Sequence, residues 1–95
     1  MKITLFSQWE CKTCVKLKEL LGQKKINYKV IEVLEHKELW EGIRKQQLKM
    51  EPSSIMYTPT LLVENKGTSK YISAGRDFDT VEEAFDKLKE YLVDS

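Results

Sequence analysis

The chain has 95 residues, 41% of them hydrophobic and 33% charged, and its 16 basic and 15 acidic side chains leave a net charge of +1. This length supports one domain with one core, over residues 1–95, and the near-zero net charge gives no large field that would attract nucleic acid or anionic lipid. The longest apolar runs are only a few residues long and the N-terminus lacks the apolar core of a signal peptide. We therefore expect a cytoplasmic monomer with no nucleic-acid or membrane partner.

The first half of the chain predicts two strands that alternate with two helices. A strand over Lys2–Phe6 precedes a helix over Cys14–Leu21, and a strand over Tyr28–Val33 precedes a helix over Lys37–Leu48. Gly22 follows the first helix and is the expected residue at which that helix ends.

The second half predicts a hairpin of two strands. Pro52-Ser53-Ser54 is expected to break the second helix. A strand over Thr60–Glu64 and a strand over Ser69–Ser73 flank the turn Asn65-Lys66-Gly67. These two strands should therefore pair in antiparallel fashion.

The last predicted element is the clearest helix, and it completes the order β-α-β-α-β-β-α. Thr80 and Glu83 form a possible capping box at its start. One apolar stripe runs along the helix and consists of Val81, Ala84, Phe85, Leu88, Tyr91 and Leu92. The first two strands are joined by a helix and should be parallel. The predicted fold class is thus α/β, with a four-stranded mixed sheet and helices on both faces.

Cys11 and Cys14 are the only cysteines, and they closely follow the first strand. If Cys11 caps the first helix and Cys14 lies in its first turn, the two sulfurs are close enough to bond. Two residues between cysteines in an apparently intracellular α/β protein are typical of a redox motif. Free N–H donors at the helix start and the nearby Lys12 favour the Cys11 thiolate, whereas Glu10 opposes it. We predict Cys11 as the nucleophile and Cys14 as a more buried resolving thiol with a higher pKa.

A metal site is the alternative use of two cysteines. Zinc needs four ligands, and the chain adds only His36, on the second helix, without a ligand partner. We therefore expect no metal ligands here and a surface position for His36. Trp9 either shields the thiol and stacks on substrate or packs on Pro59, and both readings stay open. Trp40, at helical spacing, is predicted in the core.

Thr58-Pro59 is the second feature that indicates chemistry. Pro59 stands directly before the predicted strand that begins at Thr60, where a proline costs no ladder hydrogen bond. We expect a cis peptide bond between Thr58 and Pro59, close to Cys11. The Thr58 backbone would then face outward and could pair with the backbone of a bound peptide.

The chain resembles a glutaredoxin, a member of the thioredoxin-fold superfamily, over nearly its whole length. The features shared are the element order, the Cys-x-x-Cys after the first strand, the Thr-Pro before the third and Gly75 after the fourth. The resemblance implies that Cys11 is the nucleophile and Cys14 the resolver. It also implies that Thr58 and Pro59 form the substrate platform.

The resemblance further implies a glutathione site, with glutathione as co-substrate. Gly75 and Asp77 fall where the family holds the γ-glutamyl end, and the N–H groups after Gly75 are expected to open the last helix as free donors. Gln8 and Met56 stand where the family often has cations for the opposite carboxylate, and Lys12 is the candidate substitute. Other departures from the family pattern are Thr13, Ala74 and Phe78.

These observations predict a dithiol glutaredoxin-like oxidoreductase that reduces protein disulfides or glutathione mixed disulfides. The cycle needs no cofactor beyond glutathione as co-substrate. Ribonucleotide reductase is a protein substrate implied by the resemblance alone. Two alternatives remain: a module in which Cys11 from two subunits and glutathione hold an iron–sulfur cluster, and a thioredoxin-like carrier reduced by a flavin reductase.

Overall fold

The computed structural model describes residues 2–50 and 56–92, and within them the seven elements follow in the predicted order. The elements are β1 (Lys2–Ser7), α1 (Lys12–Gln23), β2 (Lys29–Glu32), α2 (Lys37–Met50), β3 (Tyr57–Asn65), β4 (Thr68–Ala74) and α3 (Val81–Leu92). The predicted helix break at residues 52–54 lies outside the described residues. No helix in the described part of the chain is long and apolar enough to cross a membrane.

The four strands form one mixed sheet in the order β2-β1-β3-β4. β1 runs parallel to β2, with Leu5 opposite Val30, and antiparallel to β3, with Leu5 opposite Leu61. β3 and β4 form the predicted antiparallel hairpin. Its turn places Lys66 at φ 51° and Gly67 at φ 82°, two left-handed residues of the kind that match the twist of a hairpin.

Two apolar clusters fill the two faces of the sheet, which confirms that helices cover both. The first joins the sheet to α1 and α3, and it contains Ile3, Leu5, Leu17, Leu21, Leu61, Val63, Ile72, Phe78, Ala84 and Leu88. The second contains Phe6, Val33, Trp40 and Met56. Leu5 and Phe6 are neighbours in β1 and enter different clusters, as alternation along a strand requires. The rings of Phe6 and Trp40 stack at 5.3 Å, so the predicted core position of Trp40 is confirmed.

The end of α1 differs from the prediction. Gly22 lies inside the helix, and Lys25 adopts the left-handed conformation that ends it, with φ 57°. The Lys25 N–H donates to Gly22 O at 3.1 Å and the Ile26 N–H donates to Leu21 O at 3.0 Å, which is the hydrogen-bond pattern of a Schellman motif. Ile26 packs against the first cluster. This tertiary contact explains why the helix continues past the glycine to Gln23 and is stopped by a left-handed lysine.

The start of α3 follows the predicted capping residues. The Glu83 N–H donates to Thr80 Oγ1 at 3.2 Å, so Thr80 satisfies one free donor of the first turn. The Thr80 hydroxyl and Glu83 Oε1 also lie 3.2 Å apart. The glutamate therefore bonds the capping side chain itself rather than the backbone N–H of a full capping box.

Candidate active site

Cys11 is the N-cap residue of α1, as predicted. Its backbone is extended, with φ −85° and ψ 108°, and its carbonyl accepts the first helical bond, from the Val15 N–H at 3.1 Å. Its sulfur accepts a hydrogen bond from the Cys14 N–H at 3.2 Å. The Cys11 sulfur therefore contacts a free donor at the positive end of the helix, where an anion is stabilised.

Cys14 lies in the first turn of the same helix and is fully buried, whereas Cys11 is only partly buried. Both cysteines are free thiols. Burial, followed by the hydrogen bond and charge of Cys11, raises the pKa of Cys14 from 9.0 to about 11. The Gln8 backbone and the Ser7 hydroxyl lower the Cys14 pKa and so offset part of this rise. The predicted burial and raised pKa of Cys14 are confirmed.

The loop before the cysteines is held by a residue that the sequence analysis did not single out. Glu32, the last residue of β2, accepts the Trp9 N–H at 3.1 Å and the Leu34 N–H at 3.4 Å on the same carboxylate oxygen. Glu10 takes a left-handed conformation with φ 65°, and the Cys11 N–H donates to Gln8 O at 3.2 Å. No local signal predicts this link, because Glu32 is distant in the chain and glutamate rarely marks a left-handed turn.

The Thr58-Pro59 peptide bond is cis, as predicted. Phe6 pairs with Thr60, so the residues before Thr60 lie at the same sheet end as the residues after Phe6, which lead to the cysteines. The register of β3 with β4 shifts between Tyr57 and Thr60. Within the described chain, Thr58 and Pro59 therefore have no cross-strand partner on β4. Pro59 is buried, and Thr58 is partly exposed.

A hydroxyl network fixes the peptide that precedes Thr58. Thr60 Oγ1 donates to Tyr57 O at 2.6 Å and lies 2.8 Å from Ser73 Oγ. Ser73 Oγ accepts the Tyr57 N–H at 3.1 Å. Two buried hydroxyls thus hold the entry to Thr58 across β3 and β4, and they came together only through the strand pairing.

Gly75 follows β4 at this same end of the sheet, where Ala74 pairs with Tyr57. It has φ 82°, and a Cβ there would lie 3.1 Å from the Tyr57 ring. A left-handed backbone and a close ring both favour glycine at this position.

Asp77 is held by neighbours within the chain. Its Oδ2 accepts the Ser73 N–H at 2.8 Å and both Arg76 Nε at 2.9 Å and Arg76 Nη2 at 2.8 Å. Arg76 Nη2 also donates to Tyr71 O at 2.8 Å. A glutathione ammonium group would have to share this carboxylate with Arg76. The assignment of Asp77 to glutathione stays a prediction.

The expectation of free N–H donors after Gly75 is wrong. The Arg76 and Asp77 N–H groups donate to Ser73 O at 3.3 and 2.8 Å, and the Gly75 N–H donates to Phe78 O at 2.9 Å. The last helix begins later, at Val81. A tight turn therefore uses the donors that were expected to face a ligand.

Of the other residues singled out near the site, the two predicted glutathione residues Gln8 and Lys12 are exposed, whereas Met56, where the family often has a cation, is buried. Gln8 and Lys12 are exposed on either side of Cys11 in sequence. Met56 is only 1% exposed and packs in the second cluster with Trp40. Trp9 is 57% exposed, so its ring is not part of the core. Across residues 2–50 and 56–92, no group of three or more metal-ligating side chains comes together.

The sheet order, the helix-capping cysteine and the buried second cysteine define a thioredoxin-fold protein with a dithiol at the start of its first helix. A family model described as Glutaredoxin matches residues 3–67. That range is more than half of the chain, so the chain belongs to the glutaredoxin family. The match includes both cysteines and Thr58-Pro59, while Gly75 and Asp77 lie beyond it.

Two solved structures share the fold. A mutant of the thioredoxin-like protein BC3987 is 25% identical, with a TM-score of 0.54, over 96% of this chain and 99% of that one. Thioredoxin 1 from the thermophilic eubacterium Thermosipho africanus TCF52B is 24% identical, with a TM-score of 0.56, over 97% of this chain and 94% of that one. A search of curated proteins found no significant match.

Proposed function

We propose that this protein is a dithiol oxidoreductase that reduces protein disulfides and glutathione mixed disulfides through Cys11 and Cys14. The observation that carries the proposal is the pairing of two unlike thiols in one helical turn. Cys11 is partly exposed and its sulfur accepts the Cys14 N–H at 3.2 Å, whereas Cys14 is fully buried.

In the first step the Cys11 thiolate attacks one sulfur of the substrate disulfide. The substrate S–S bond breaks, a mixed disulfide with Cys11 forms, and the other substrate sulfur leaves as a thiolate that takes up a proton. The N–H donor at the helix start favours the anion that attacks. Cys11 is the suitable nucleophile because it is the more exposed of the two cysteines.

In the second step Cys14 loses its proton and attacks the Cys11 sulfur. The mixed disulfide breaks, the second substrate sulfur leaves and is protonated, and a Cys11–Cys14 disulfide remains. Two substrate sulfurs are reduced and two protein sulfurs are oxidised, so the cycle needs a thiol reductant and no metal or organic cofactor. In the reduced protein, the pKa of about 11 keeps the Cys14 thiol protonated at neutral pH.

Three groups at the end of the sheet that leads to the cysteines suit a peptide substrate. Thr58 lacks a β4 partner at the register shift, so its backbone is available to a bound peptide. Trp9 and Tyr57 are 57% and 55% exposed. Exposed aromatic rings next to an unpaired strand segment favour an extended protein substrate over a small disulfide alone. Ribonucleotide reductase is one such substrate implied by the family.

Glutathione as co-substrate is part of the proposal, with Gln8 and Lys12 near Cys11 and with Gly75 and Asp77 at the γ-glutamyl end. One observation favours a second candidate, a thioredoxin-like carrier that a flavin reductase reduces. Arg76 occupies the Asp77 carboxylate through two contacts of 2.8 and 2.9 Å, which weakens any glutathione site there.

The test is to oxidise the protein and to measure its reduction by glutathione and, separately, by a flavin-dependent thioredoxin reductase with its nicotinamide cofactor. Reduction by glutathione supports the first candidate, and reduction by the flavoenzyme alone supports the second. The Cys11→Ser variant, which cannot form the Cys11–Cys14 disulfide, is the control. Brown protein with charge-transfer absorbance would instead favour the cluster-binding alternative.

A further inference from the structure

Ser7 carries a buried hydroxyl that the fold does not use. It is the last residue of β1 and is 0% exposed, and its Oγ has no hydrogen-bond partner among the described residues. Its backbone is fixed, because its carbonyl accepts the Val33 N–H at 2.9 Å. A buried hydroxyl without a partner destabilises a protein, so such a group calls for an explanation.

The strand geometry directs this hydroxyl toward the cysteines. Side chains alternate along β1, and Leu5 enters the cluster that contains Leu17 of α1, whereas Phe6 enters the cluster on the other face. Ser7, two residues after Leu5, therefore faces α1. Cys14 is buried on that helix, one turn before Leu17.

The electrostatics of Cys14 agree with this placement. The Ser7 hydroxyl lowers the Cys14 pKa, as a donor available to the thiolate does, against the larger effect of burial. Apart from burial, the groups that act on the Cys14 thiol are Cys11, the Gln8 backbone and Ser7. Ser7 is the only side-chain hydroxyl among them, and it favours the thiolate while being unpaired around the neutral thiol.

We propose that Ser7 is the hydrogen-bond donor that stabilises the Cys14 sulfur as it becomes an anion in the resolving step. The inference rests on the proposed function and concerns its second half only. Cys14 releases its proton, the Ser7 O–H donates to the resulting thiolate without transferring its own proton, and the thiolate attacks the Cys11 sulfur. The leaving substrate thiolate takes up a proton from solvent, so the proton balance closes.

The size of the effect follows from two opposing terms. A hydrogen bond to a charged group changes a pKa by about one unit, so its loss leaves about tenfold less Cys14 thiolate at neutral pH. The thiolate that remains is a stronger nucleophile, because reactivity rises with pKa with a coefficient of about 0.4–0.5. The resolving step should therefore slow by roughly threefold to fourfold at neutral pH, with its pH inflection about one unit higher.

The experiment follows the reduced protein with an equimolar amount of Ellman's reagent by stopped-flow absorbance. Attack by Cys11 releases one thionitrobenzoate, and resolution by Cys14 releases a second in a phase that does not depend on protein concentration. The variants are Ser7→Ala and the control Thr4→Val. Thr4 is a buried hydroxyl residue of the same strand, and it faces the other side of the sheet with Phe6.

Ser7→Ala should leave the first phase unchanged, slow the second and shift its pH inflection upward, whereas Thr4→Val should change neither phase. Ser7→Ala should also melt no earlier than the wild type, because it removes an unpaired buried group. An unchanged second phase, an equal slowing of both phases, or a lowered melting temperature would overturn the role of Ser7. If the wild-type protein releases no second equivalent, the proposed function fails as well, and that result is distinct from all the others.

Discussion

Two regions at one end of the sheet, the start of α1 and the segment after β4, use their backbone donors in opposite ways. At the start of α1, the Cys14 N–H points to the Cys11 sulfur, a group that reacts. In the segment over residues 73–78, the Arg76 and Asp77 N–H groups both donate to Ser73 O, and the Asp77 carboxylate binds Arg76. The first region directs its donor to a sulfur that can react with an outside group, whereas the donors of the second region are satisfied within the chain. Disulfide exchange thus depends on a formed site, while glutathione recognition has to compete with existing contacts.

Substitution of the cysteines should have the largest effect, and it tests the first of these two regions. Cys11→Ser should abolish reduction of every disulfide, whereas Cys14→Ser should still reduce glutathione mixed disulfides and lose protein-disulfide reduction. The resolving thiol is needed to release a protein mixed disulfide, whereas a glutathione mixed disulfide can be reduced without it. Turnover of a protein disulfide and mass spectrometry of the trapped mixed disulfide measure both. Thr13→Ser, which keeps both sulfurs, is the control, and an active Cys11→Ser variant would reverse the assigned roles.

The pH dependence of stability tests the buried thiol. The Cys14 pKa is about 11 in the folded protein and 9.0 for an ordinary thiol, so between these values the unfolded chain loses a proton that the folded protein keeps. The contribution of the protonated Cys14 thiol to the free energy of unfolding is fully present below pH 9. It is lost as the pH rises to 11, and the loss is up to about 3 kcal/mol. Urea unfolding of the reduced protein across this range should show the loss. Cys14→Ala should remove this decrease of the free energy of unfolding with pH. An unchanged decrease would contradict the argument from the burial of Cys14.

Two alanine substitutions test whether the turn after β4 requires its glycine while helix α1 does not. Gly75→Ala should destabilise the protein by about 1–2 kcal/mol, because it places a Cβ at φ 82° and 3.1 Å from the Tyr57 ring. Gly22→Ala should stabilise it by up to about 1 kcal/mol, since Gly22 is exposed inside α1 with nothing within 4 Å of the new Cβ. Denaturant midpoints measure both changes. Equal effects would contradict the requirement for glycine at position 75, because movement of Tyr57 cannot relieve the strain of φ 82°.

The smallest expected effect concerns glutathione binding by residues near Cys11. Gln8→Lys should tighten glutathione binding by up to about tenfold, since it would supply one charge-assisted bond to the carboxylate of the glycine in glutathione. Amide chemical shifts in a Cys14→Ser background report the affinity and should include Thr58 and Asp77. Ser69→Lys adds the same charge on β4, where Ser69 pairs with Glu64 far from the cysteines, and is the control. Shifts confined to Cys11 would show that the chain has no glutathione site.

The sequence predicted those features whose signals are local. The spacing of Cys11 and Cys14 placed both sulfurs in one helical turn, and Thr80 marked the start of α3. The proline at Thr58-Pro59 led to the expected cis bond, which is confirmed. Alternation and helical periodicity predicted all seven elements, although β3 begins at Tyr57 rather than at Thr60.

Features that depend on distant partners were not predictable. Glu32 reaches the Trp9 N–H only because β2 lies beside β1, and Arg76 reaches the Tyr71 carbonyl only because the chain turns back after β4. The left-handed residue that stops α1 is Lys25 rather than Gly22, because Ile26 packs against the core. In each case a contact formed on folding outweighed, or added to, the local preference of the residue.

The amino-acid sequence by itself determined the element order, the sheet with helices on both faces, and the identity of the reactive pair, because periodicity, capping residues and cysteine spacing act over a few residues. Only the tertiary structure decided which groups surround that pair. The burial of Cys14 in the first turn and the unpaired Ser7 hydroxyl facing α1 both arise from packing between elements. Burial is the largest influence on the pKa of Cys14, and it exists only once the strands and helices have come together.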